Sequence, residues 1–134
     1  MKFIALIYID PSLLAALPEG EADGMLRDCF AHADEMERHG KVLESRMLED
    51  APTAKSIRRR KGRMTVVDGP FAEAKEVLGG FNLIEAEDMD EALRIAAEFP
   101  WSRVGCVEVR PVRDIDAVRE RVGAARAGAH VPGS

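Results

Sequence analysis

The chain has 134 residues, enough for one domain with a core of its own and no need of disulfide or metal staples. Hydrophobic residues at 46% and charged ones at 32% describe an ordinary globular protein, and a net charge of −5 argues against a general nucleic-acid binder. Cys29 and Cys106 lie far apart with no CxxC spacing, so neither a disulfide framework nor a zinc ribbon is indicated. The apolar run at residues 3–9 lacks the flanks of a signal peptide, and no run reaches membrane-spanning length. A cytoplasmic protein without membrane contact or cofactor is the expectation.

Residues 2–9 (KFIALIYI) form an almost unbroken apolar run that ends at Asp10-Pro11, which reads as a strand covered on both faces. Residues 11–23 form a Pro/Gly-containing connection with a loose turn at 13–17. From 22 to 39 the period is helical, with Leu26, Cys29, Phe30, Ala33 and Met36 on one stripe and Gly40 as the stop. The adjoining stripe carries Asp28, His32, Glu35 and His39. That spacing suits a metal site, but a solvated edge with carboxylate–histidine pairing explains it as well, and no metal is assigned. His32 lies nearest the apolar boundary and is kept as a pocket candidate.

Residues 41–48 alternate as a strand does, and 49–53 turn at Pro52. Residues 56–60 and 63–67 flank Lys61-Gly62 as a β-hairpin carrying Arg58, Arg59, Arg60, Lys61 and Arg63. With one Trp and one Tyr in the chain, base-stacking platforms are scarce, so the hairpin reads as a solvated, aggregation-resistant ribbon. The second strand of the hairpin stops at Asp68-Gly69-Pro70, because Pro forbids a central-strand hydrogen bond. Phe71, Glu73, Lys75 and Glu76 follow on a stiff loop that Gly79-Gly80 closes. A strand at 80–86 and an amphipathic helix at 88–99 come next. Asp88 caps that helix, Glu91 completes a capping box, and Ala92, Leu93, Ile95, Ala96 and Phe99 form its buried face. A strand at 104–109 and a helix at 114–125 complete residues 1–127 as one domain, and the Pro/Gly-containing residues 128–134 read as a frayed tail. The order is β-α-β, a hairpin extension, then β-α-β with a terminal helix, which is the α+β, ferredoxin-like plan.

Residues 68–76 (DGPFAEAKE) closely resemble the Asp-Gly-Pro-Phe-Ala-Glu-Thr-Lys-Glu signature of the DGPF branch of the YCII-related family, with Ala74 in place of Thr. The opening MKFIALIYID, Gly79-Gly80-Phe81 with Leu83-Ile84, Asp90-Glu91-Ala92, and Val107-Glu108-Val109-Arg110-Pro111 extend the likeness from Lys2 to Val112. The resemblance implies a dimeric α+β barrel, in which two ferredoxin-like subunits press their sheets together as a homodimer. Many relatives are encoded beside extracytoplasmic-function sigma factors, and a few enzymes of the wider group act on chlorinated aromatic rings. A histidine on the first helix and an aspartate are a proposed acid–base pair in the wider group. Here the histidine position falls at or near Cys29, with His32 about a turn away.

Two functional expectations follow. In the first, a small-molecule binder or enzyme has its pocket between the first helix and the sheet. Asp68 or Glu73 acts as general base and His32 as a second acid–base group. Lys75 anchors charge, and Phe71 and Glu76 line the ligand. Asp68 is equally explained as a turn-former before Gly69. Cys29 and Cys106 read as structural, since reactive cysteines need an electropositive, accessible setting. In the second, a non-catalytic dimeric module binds a protein such as a sigma factor through the basic hairpin.

Overall fold

A computed structural model describes residues 1–71 and 74–126. Six strands and four helices follow one another as β1 (Lys2–Ile9), α1 (Pro11–Ala15), α2 (Glu21–Arg38), β2 (Val42–Met47), β3 (Lys55–Arg60), β4 (Arg63–Asp68), β5 (Val77–Glu85), α3 (Met89–Ala97), β6 (Gly105–Pro111) and α4 (Ile115–Arg121). Four strands form one sheet in the order β2-β5-β1-β6, and every neighbouring pair is antiparallel. Helix α2 carries the chain from β1 to β2, and α3 carries it from β5 to β6, each crossing over one intervening strand. That is the ferredoxin-like arrangement expected from the sequence. Strands β3 and β4 form a separate two-stranded ribbon inserted between β2 and β5.

The two faces of β1 have different fates. Phe3, Ala5 and Ile7 are buried beneath the helices, together with Ile84 of β5 and Val42 of β2. Ile4, Leu6 and Tyr8 point the other way and are half-buried, with Leu6 opposite Phe81 and Ile4 opposite Leu83. The helical layer is closed by Met25, Cys29 and Ala33 of α2 and by Ala92, Ile95 and Ala96 of α3, with Phe99, Trp101 and Val104 sealing its end.

Several local expectations shift. Helix α2 buries Met25, which is 2% exposed, whereas Phe30 is 51% exposed. The buried stripe runs 25, 29, 33 with Leu26 and Met36 at its flank, so position 30 falls on the outer side of the turn. Leu93 of α3 points outward for the same reason. Gly79 and Gly80 do not close a loop: they sit inside β5, which starts at Val77. A Cβ at Gly80 would stand 2.5 Å from the Arg46 carbonyl oxygen, so glycine is what lets β5 pass this close to β2. The expected loose turn at 13–17 is the short helix α1, capped by Asp10. At the hairpin tip Lys61 has φ 52 and Gly62 φ 76, the paired left-handed conformation of a tight two-residue turn. Glu73 and the tail 128–134 lie outside the described residues.

Candidate functional site

A cavity of about 650 Å³ opens between the first half of α2 and the helix-covered face of the sheet. Its walls are Ile7 and Ile9 of β1, Leu26 and Cys29 of α2, and Val77 and Leu78 of β5. Trp101 lies in the wall beside Cys29, and its indole N–H donates to the Cys29 sulfur at 3.3 Å. Burial pushes the Cys29 thiol above its ordinary pKa, and the Trp101 hydrogen bond opposes that shift only in part. The thiol is therefore a neutral, soft part of the wall, not a nucleophile. Met47, Leu48, Glu49, Asp50 and Pro52 carry the rim, where β2 leaves the sheet.

One polar side chain stands out in this lining. Asn82 of β5 is 4% exposed, and its Oδ1 has no hydrogen-bond partner among the described residues. Its inward aim follows from strand alternation: Asn82 shares a face with Gly80 and Ile84 and stands opposite Ser45 across the β2–β5 ladder. A buried carbonyl-type acceptor left without a donor costs about 1–3 kcal/mol, so a residue that stays this way calls for an explanation. Asn82 is the chain's only asparagine, and there is no glutamine. It was not among the residues singled out from sequence. The signal was a lone carboxamide in an otherwise apolar strand.

Beside the cavity, Asp10 is 3% exposed and ends β1. It caps α1 by accepting from the Ser12 backbone N–H at 2.9 Å and from the Ser12 hydroxyl at 2.6 Å. The Ser12 hydroxyl is the main reason its carboxyl is held below the usual carboxylate pKa. Burial opposes this, while the Ser12 and Leu13 backbone N–H groups and the Lys75 ammonium support it. Lys75 Nζ lies 3.7 Å from Asp10 Oδ2. Of the described loop residues singled out from sequence, Lys75 is the one that joins a buried group near the cavity.

The others lie elsewhere. The Asp68 side chain is 83% exposed at the end of β4 and pairs with Lys55 Nζ at 2.5 Å. Phe71 is exposed, with the Arg58 guanidinium 6.0 Å from its ring centroid and an Arg58 N–H on its carbonyl at 3.1 Å. Glu76 is exposed. His32 lies between α2 and α3: its Nε2–H donates to the Ile95 carbonyl at 2.8 Å, and its ring meets Phe99 edge-on with centroids 4.6 Å apart. It faces a shallow polar groove with Glu35, His39, Lys41 and Glu91, not the cavity. There Glu35 pairs with His39 at 2.9 Å, the solvated carboxylate–histidine pairing considered from the helical spacing. Among the described residues, no group of three or more His, Cys, Asp or Glu is placed to hold a metal ion. No described helix is long and apolar enough to cross a membrane.

Comparison with known proteins places the chain. An uncharacterized protein of Rhizobium meliloti strain 1021 is 35% identical over 114 residues, covering 84% of this chain and 92% of that one. Among solved structures, 5-chloro-2-hydroxyhydroquinone dehydrochlorinase of Burkholderia phenoliruptrix AC1100, in complex with 2,5-dihydroxybenzoquinone, matches over 84% of this chain and 94% of its own. The identity there is 16% and the TM-score 0.45, too low to speak to the chemistry of this chain. Residues 1–116 match the YCII-related domain, and with that span covered the chain belongs to the YCII-related family.

Proposed function

We propose that this protein binds a small, mainly apolar molecule in the cavity beneath α2, with a polar group of that molecule meeting the Asn82 carboxamide in the wall. The observation that carries the reading is a roomy cavity walled by Ile7, Ile9, Leu14, Leu26 and Val77, with the buried Asn82 carboxamide among them. Volume and lining agree with it: ligand pockets commonly enclose about 300–1,000 Å³, apolar with a few placed polar groups, and this cavity is about 650 Å³. Apolar rim residues support it further, since Met47, Leu48 and Leu78 are exposed apolar side chains at the mouth of the cavity. The acid–base role considered for Asp68 does not enter this reading. An exposed carboxylate paired with Lys55 lacks the burial that turns a carboxylate into a base near neutral pH. We further infer a reducing, cytoplasmic setting, which the two free cysteines support.

The chain's single tryptophan reports on the site directly, because Trp101 lies in the cavity wall. Titration with para-butylphenol is expected to shift its emission saturably. Ala22→Phe, which fills the wall from α2, and Leu78→Asp, which charges the rim, are each expected to weaken that response at least tenfold. An emission that does not respond, or equal affinity in both variants, would refute the assignment.

A further inference from the structure

The ribbon of β3 and β4 buries almost nothing against its own chain. Ile57 is 69% exposed, Met64 56% and Val66 52%. A two-stranded hairpin standing alone in water is marginal, so these side chains call for a surface that the chain does not itself supply. The charge of the ribbon is one-sided too. Residues 55–68 hold six cations against one carboxylate, net +5, in a chain of net −5, so the rest of the chain carries −10. Among the described residues the ribbon's one ion pair is Lys55 with Asp68, at the base. At the tip Arg60 stands directly opposite Arg63, and like charges so placed destabilise a ribbon unless an anion lies near both.

The register sorts the two faces. Arg58, Arg60 and Arg63 share one face, while Ile57, Met64 and Val66 share the other with Arg59. The two-residue turn at Lys61-Gly62 makes Arg60 and Arg63 the pair that exchanges both backbone bonds. Alternation from there turns the N–H and C=O of Ile57 and Arg59 out to the free edge of β3. The Arg60 guanidinium folds back on the Arg59 carbonyl at 2.9 Å, a donor where the N–H of a neighbouring strand would stand.

We propose that this edge takes an extended, acidic segment of another protein, added as a third strand beside β3. A strand in which acidic and β-branched residues alternate sets its carboxylates beside Arg58 and Arg60 and its aliphatic side chains beside Ile57. Its backbone meets the outward groups of Ile57 and Arg59. A second ribbon is disfavoured there, since it brings like charge to like. A duplex nucleic acid is disfavoured as well: it meets the −10 of the rest of the chain and leaves the aliphatic face uncovered.

Short labelled peptides test this by fluorescence anisotropy: alternating Glu and Val, polyglutamate of equal charge, and alternating Lys and Val. The Glu–Val peptide is expected to bind roughly tenfold tighter than polyglutamate, and the Lys–Val peptide is expected not to bind. In the complex, amide exchange at Ile57 and Arg59 is expected to slow, which charge attraction alone would not cause. The double variant Arg58→Glu with Arg60→Glu is expected to reverse the preference towards the Lys–Val peptide. Both positions are exposed and outside the cavity wall, so an unchanged Trp101 emission verifies that the variant keeps the fold. The assignment is overturned if the Glu–Val peptide does not bind, or if polyglutamate or duplex DNA binds as tightly. Unchanged exchange at Ile57 and Arg59 in the complex, or a preference that survives the double variant, would overturn it equally.

Discussion

Asn82 carries more of the account than any other residue. A side chain kept for packing or stability would be expected to satisfy its oxygen or to give way to an apolar residue of similar volume. Asn82→Leu removes the unpartnered acceptor, so it is expected to stabilise the protein by up to about 1–3 kcal/mol while weakening ligands that bear a donor group. Denaturant unfolding of the two proteins checks the first part. A variant less stable than the native protein would mean that Asn82 holds the fold through bonds in its own chain. Asp10 is the contrasting case, a buried carboxylate with partners on every side. Its pKa is depressed in the folded state, so its contribution is complete above the ordinary carboxylate range and is lost as the pH falls through the depressed value. Neither role was legible from sequence. Asp10 preceded a proline at a strand end and read as punctuation, while the conspicuous charges at Asp68 and Glu76 sit on the surface. Residue type and spacing reveal which groups are available, but burial decides which of them meet a cavity, and burial depends on contacts distant in sequence. Lys75 was singled out from sequence as an anchor for a ligand's charge, and in the structure it stands near Asp10 of its own chain. Asp10, distant in the chain, was not singled out.

Among the elements, strand and helix periodicity carried most of the reading. β1, β2, the β3–β4 ribbon and α3 fall within a residue or two of where alternation, caps and turn residues put them. The Asp88 cap accepts from the Glu91 backbone N–H at 2.9 Å as expected, though the Glu91 carboxylate accepts from Glu87 instead of closing the box on Asp88. Glycine was the weak point. Gly79-Gly80 read as the close of a loop, yet both lie in β5, while Gly105 falls inside a strand as expected; at Gly80 and Gly105 the neighbouring backbone approaches too closely for a side chain. A Cβ at Gly105 would overlap the Tyr8 carbonyl, which pins β6 against β1. Gly105→Ala is expected to cost about 1–3 kcal/mol or more through overpacking of this edge, measured as a lowered denaturation midpoint. A midpoint equal to that of the native protein would show that the β1–β6 contact yields easily.

At the scale of the whole molecule, the sheet keeps one face under the helices and leaves the other open. Ile4, Leu6, Tyr8, Phe81 and Leu83 line that open face, where a soluble antiparallel sheet would ordinarily carry polar side chains. The doubly apolar run of β1 was legible from the start. What covers its second face was not, because that cover would come from outside the chain. We propose that a second copy covers it, sheet against sheet, in a homodimer. Leu6→Lys puts a charge at the centre of this face without touching the cavity lining. Sedimentation is expected to show a dimer for the native chain and a monomer for the variant, and a native monomer would contradict the pairing. The cavity lies on the opposite, helix-covered side, so ligand binding and pairing are separable, and the cavity claim can be tested whatever the state of association. The most direct test uses two unique groups of this sequence: one side-chain carboxamide, Asn82, and one indole, Trp101. In a nitrogen–proton correlation spectrum each gives its own isolated signal. On titration with para-butylphenol both are expected to move together along one saturable curve, since both line the same cavity. If the Trp101 signal and the Asn82 pair stay fixed while the ligand binds, the ligand sits elsewhere and the central claim is wrong.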